Sequence, residues 1–87
     1  MGKVHTLTLN PSTAVVVHLD HAAHVWLFDP SNFSRYRSTG KARGLGGAFE
    51  RTPVVLPSPG AGTFYLVVEL GQYRGPLNYR VELRDAA

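Results

Sequence analysis

The chain has no cysteine, a single methionine and a single tryptophan, and only 17% of its 87 residues are charged. No disulfide framework is possible, so the small, stapled secreted scaffolds are excluded. The charged fraction is well below the usual ~25%. With an ordinary apolar content of 44%, that rules out a disordered chain or a coiled coil. Long hydrophobic runs are also missing: the longest is Phe64 to Val68, followed by Ala14 to Val17 and Val25 to Phe28. None approaches the ~18 residues of a membrane span, and the first residues lack the apolar stretch of a secretory signal. The expectation is a cytoplasmic protein without a membrane association. Met1-Gly2 with Thr6 meets the loose myristoylation template, but a strand expected from Lys3 argues against lipidation. A chain of this size buries roughly 63% of its surface on folding, enough for one small core and one domain spanning residues 1–87.

Nine glycines and six prolines are present, and they fall in clusters that cut the chain into short pieces. Between them the hydrophobic residues alternate with period two, as in strands with one buried face. Lys3 to Leu9 places His5, Leu7 and Leu9 on one side. Thr13 to Leu19 sends Val15, Val17 and Leu19 inward and Ala14, Val16 and His18 outward. His24 to Phe28 separates Val25 and Leu27 from His24, Trp26 and Phe28. Further strands are predicted at Ala48 to Arg51, Pro53 to Leu56, Thr63 to Leu70 and Asn78 to Arg84, with a turn from Gly71 to Pro76. Asp29-Pro30 marks a helix entry, an acidic N-cap followed by proline at the first helical position. A helix of at most two turns, near residues 30–38, would place Phe33 with Tyr36 or Arg37 on one face. Thr39 to Gly47, with four glycines, reads as a loop. The class is all-β: a small antiparallel β-sandwich or open barrel of six to seven short strands with one short helix.

Directly opposed residues of an antiparallel pair share a face. Pairing the second and third strands about His21 keeps their valines and leucines together, with Val17 opposite Val25 and His18 opposite His24. Two imidazoles so placed could begin a zinc site, but two ligands do not complete one, and no metal or cofactor is assigned.

In order along the chain stand Leu19-Asp20-His21, a strand ending in Asp29, Ser31-Asn32-Phe33, Tyr36-Arg37, Gly46-Gly47, Thr52-Pro53-Val54, and Gly62 with a strand into Leu70-Gly71-Gln72-Tyr73. From about residue 3 to residue 84 this order resembles the bacterial family known as domain of unknown function 1883. The Asp-x-Ser-Asn-Phe and Gly-Gly elements are the most specific parts. The chain departs from the pattern at Gly44-Leu45, where aromatic residues would precede the glycine pair. The resemblance implies an all-β domain with an accessory role, found alone or appended to TIR domains, and no catalytic activity.

The charge is unevenly placed. Arg35, Arg37, Lys41, Arg43 and Arg51 face only Glu50 between residues 35 and 51, so the positive excess sits in the helix and the glycine-rich stretch. Arg35-Tyr36-Arg37 interleaves guanidinium groups with an aromatic ring, a composition suited to phosphate contact and base stacking. The plainer reading is a solvated face whose arginines stack on local aromatics or pair with Asp29 and Glu50. Gly40-Lys41 does not complete a phosphate loop, because Arg35 and Ala42 occupy the positions that need glycine and serine or threonine. Phe49 likewise breaks a dinucleotide motif starting at Gly44. These glycines are better suited to positive φ and close packing beneath a neighbouring strand.

Trp26 and Phe28 point away from the inward row, so a second layer is needed on that side. Either the short helix folds back and covers them with Phe33 and Tyr36, or they form an exposed aromatic patch. No cysteine nucleophile or serine elbow is present, and the six acids are scattered. The sequence therefore points to a non-enzymatic module for recognising a partner or ligand, with an interaction surface drawn from Trp26, Asn32, Arg35, Tyr36, Arg37, Lys41 and Arg43. An unidentified protein partner is favoured, with self-association as one form of it. A basic nucleic-acid-binding domain and a carbohydrate-binding sandwich are the alternatives.

Overall fold

The computed structural model describes residues 3–50, 52–69 and 78–85. Gly2, Arg51, Leu70 and the turn expected from Gly71 to Pro76 lie outside them. The elements run β1 (Lys3–Leu9), β2 (Thr13–Leu19), β3 (Ala23–Phe28), α1 (Pro30–Thr39), β4 (Leu45–Phe49), β5 (Val54–Pro57), β6 (Gly62–Glu69) and β7 (Tyr79–Asp85). All pairings are antiparallel. One sheet has the order β1-β6-β3-β4 and the other β5-β2-β7.

The two sheets close on a shared core. From the first come Leu9, Val25, Leu27, Phe64, Leu66 and Val68; from the second, Val15, Val17, Leu19, Val54 and Leu56. Apart from Val54 and Leu56, these lie in the inward rows that the period-two pattern assigns, and their burial is the main favourable term in holding the sheets together. At one edge the Tyr79 hydroxyl and His5 Nε2 are hydrogen-bonded at 2.6 Å, joining β7 to β1 across the sandwich. Asp20 accepts from the Asn78 backbone N–H at 3.2 Å and fixes the entry to β7.

The expected pairing of β2 with β3 does not occur. The short turn through Asp20-His21-Ala22 carries the chain from one sheet to the other. Val17 and Val25 meet the same core from opposite layers, which satisfies the parity argument without any hydrogen-bonded ladder. His18 lies opposite Arg80, and His24 opposite Ala48 and Glu69, so the two imidazoles sit on opposite outer faces. Among the described residues no group of three or more potential metal ligands gathers.

The strand expected at Ala48 to Arg51 starts earlier: β4 runs Leu45–Phe49, so Leu45 to Gly47 of the expected loop are its first three residues. Gly46 and Gly47 pair with Trp26 and Val25. Gly46 has φ 125°, and a Cβ there would stand 1.9 Å from the Val25 carbonyl oxygen. Only glycine lets the two backbones approach so closely. α1 is longer than expected, ten residues ending at Thr39. Asp29 caps it by accepting from the Asn32 backbone N–H at 2.7 Å, and Gly40 ends it in the left-handed conformation at φ 77°. No helix among the described residues is long and apolar enough to cross a membrane.

Candidate functional site

The two sheets differ in what covers their outer faces. On the three-stranded sheet the outward side carries Val16, buried at 1% exposure between Val55 and Glu82, with Val55 itself at 55% exposure and a polar set of His18, Glu82 and Arg84. On the four-stranded sheet α1 folds back over β3 and β6. Of the two readings offered for Trp26 and Phe28, the covering helix is the one observed. Phe28 is 1% exposed, stacked between Trp26 (6.1 Å between ring centroids) and Tyr36 (4.9 Å). Gly44 lies against the same ring, where a Cβ would come within 2.6 Å. Glycine at position 44 thus makes room for Phe28.

A second stack runs beside the first. Phe33 lies nearly flat on Tyr65, 4.3 Å between centroids and 11° between planes. The Arg37 guanidinium sits 5.8 Å above the Phe33 ring, within cation–π range. Phe33, Tyr36 and Arg37 therefore share a working face of α1, as the helical spacing predicts. Tyr36 donates its phenol proton to the Glu69 carboxylate, at 3.0 and 3.1 Å from its two oxygens. Partial burial and then the neighbouring carboxylate raise the Tyr36 pKa above the usual phenol value, so it stays a neutral donor across the physiological range.

The helix leaves depressions on both flanks. Towards β1, one of about 520 Å³ is lined by Val4, Phe33, Tyr36, Arg37, Gly40, Val67 and Glu69. Another of about 520 Å³ lies beside it, against Pro30, Phe33, Ser34, Arg37, Ser38 and Tyr65. Towards β4, half-buried Trp26 shares a space of about 350 Å³ with His24, Phe28, Tyr36, Lys41 and Glu69. Asn32 and Arg43 meet elsewhere, with Asp29 and Leu45, around a smaller space of about 290 Å³.

The candidate residues thus divide. Tyr36 and Arg37 belong to the β1 flank; Trp26, Tyr36 and Lys41 to the β4 flank; Asn32 and Arg43 to the N-terminal end of the helix. Arg35 and Arg37, two positions apart, point to different sides of α1. Arg35 is exposed and lines none of these depressions. Among the described residues, Arg35, Arg37, Lys41 and Arg43 form no ion pair. Sequence reasoning missed Val4, Tyr65, Val67 and Glu69, which complete the flanks of the helix. Their outward positions on β1 and β6 follow from the period-two pattern, but the β1–β6 pairing that joins them is long-range and leaves no local mark.

The comparisons with known proteins add one positive finding. A family model, Domain of unknown function (DUF1883), matches residues 1–85, nearly the entire chain, and the chain belongs to that family. Nothing among curated proteins or solved structures matches it.

Proposed function

We propose that this member of the DUF1883 family is a non-enzymatic recognition module that binds a protein partner with the helix-bearing face of its four-stranded sheet. The observation that carries this reading is the state of that face. Arg37 and Lys41, which form no ion pair among the described residues, stand beside half-buried Phe33 and Trp26 on the rims of open depressions. Aromatic residues with arginine are what protein-binding surfaces concentrate. The placement of the acids favours binding over chemistry: Asp29 caps α1, Asp20 anchors β7, Glu69 holds Tyr36 and Glu82 meets Arg84. Each has a local structural partner, and they do not converge. In this reading the module works in the bacterial cytoplasm, alone or beside a TIR domain.

A nucleic-acid surface would use the same cations with Arg35 and Arg43, but Arg37, Lys41 and Arg43 line separate depressions and Arg35 lines none, which does not offer a continuous phosphate track. The test is selection of random peptides on the immobilised protein, with anisotropy of labelled oligonucleotides at about 50 and 200 mM salt as the counter-measurement. Enriched peptides that lose affinity with Arg37→Glu are the expected result. Oligonucleotide binding that collapses at the higher salt, with no peptide enriched, would replace this reading with the nucleic-acid one.

A further inference from the structure

Resting on the recognition reading above, we infer that the partner is an extended peptide segment that adds to the outer edge of β1 and places alternate side chains in the trough between β1 and α1. Four strands end the two sheets: β1, β4, β5 and β7. A sheet edge is a ready template for another strand unless it is shortened, distorted, charged or blocked by proline. β5 has four residues and ends in Pro57. β7 carries Arg80, Glu82, Arg84 and Asp85. β4 is bent by positive φ at Gly46 and Gly47. β1 has none of these devices: seven regular residues, Lys-Val-His-Thr-Leu-Thr-Leu, with the only charge at its start. Among the described residues its outer edge has no strand partner.

The outward side of β1 also has something to read a peptide with. α1 covers β6 and β3 and leaves Val4 48% exposed. Val4 pairs with Val67, and Thr6 with Tyr65. Val67 and Tyr65 belong to the two adjoining depressions, which share Phe33 and Arg37. Their sheet residues, Val67 and Tyr65, stand two strand positions apart on β6, about 6.8 Å, which is the same-face spacing of side chains in an added strand. Main-chain hydrogen bonds to β1 supply affinity, and the depressions supply selectivity, as in other strand-addition sites. Val4, Val67 and Phe33 call for an apolar side chain. Arg37, above Phe33 and in no ion pair among the described residues, calls for a carboxylate beside it. The partner is thus an acidic, alternating segment in extended conformation, complementary to a chain with formal net charge +3.

The test uses random peptides of about ten residues, the upper range of a strand, selected on the immobilised full chain. The selected peptides are then remade with N-methyl groups on either the odd or the even amides. Only one series should lose affinity, by about tenfold or more, because alternate amides of an added strand face the β1 edge. Arg37→Glu should weaken the acidic peptides, and amide hydrogen exchange within β1 should slow when peptide binds. Equal effects of the two methylated series, with β1 exchange unchanged, would overturn strand addition while leaving partner recognition standing. No enriched peptide at all would overturn both. Dimerisation abolished by Val4→Lys would also overturn the proposal, by giving the edge to a second copy of the chain.

Discussion

Tyr36 and Glu69 tie the helix to the sheet: one phenol on α1 spans both oxygens of one carboxylate at the end of β6. Because the folded state raises the pKa of Tyr36, its contribution to stability is complete below the unfolded phenol value, about 10. That contribution is lost as pH rises through the higher folded value. Tyr36→Phe should remove one late-titrating phenol from an absorbance titration. It should also cost about 1.5 kcal/mol at neutral pH, the low end for a hydrogen bond to a charged group, given partial exposure. The emission of Trp26, the only tryptophan, should shift as the aromatic stack loosens.

Gly46 is the most demanding backbone position of the candidate face. Gly46→Ala must resolve a 1.9 Å contact with the Val25 carbonyl and occupy φ 125°. Strain of this kind costs about 1–3 kcal/mol before any steric overlap is counted. Thermal or urea unfolding should show that loss. Gly47→Ala, with nothing within 4 Å of the new Cβ, should lose less.

Asp29 is read as a structural residue. Asp29→Ala removes the cap on the Asn32 backbone N–H and should cost about 1 kcal/mol. Asp29→Asn or Asp29→Ser should recover most of it. A chemical-denaturation series checks the order.

Glu82 sits between Arg84 at 3.0 Å and His18 at 3.2 Å. The Arg84 hydrogen bond, then that of His18, lowers its pKa. The stability it lends is present above the unfolded carboxylate value, about 4.3, and is lost as pH falls through the lower folded value. Glu82→Gln should flatten the acid limb of a stability-versus-pH curve slightly, since the pair is solvent-exposed.

Much of the architecture is written locally. Period-two hydrophobicity located β1, β2, β3, β6 and β7 to within a residue or so. Asp29-Pro30 located the start of α1, and the outward Trp26 and Phe28 required the cover that α1 provides. Three features were not legible. Glycines at positions 44, 46 and 47 erase side-chain alternation, so the first half of β4, before Ala48, resembles a loop until the close approach to β3 is seen. Face parity also cannot distinguish neighbours within a sheet from partners across a core. Val17 and Val25 satisfy it in either arrangement, and the layer crossing at Asp20-His21-Ala22 was therefore missed. The trough beside β1 depends on the β1–β6 ladder between residues about sixty apart, a relationship absent from any local pattern.

The most direct test of the central claim is a two-dimensional NMR titration of the full chain with a selected peptide, following backbone amides and the Trp26 indole. Shifts should concentrate on β1, β6 and α1, led by Val4, Phe33, Arg37 and Val67. Shifts confined to β2, β5 and β7, the three-stranded sheet, would contradict it.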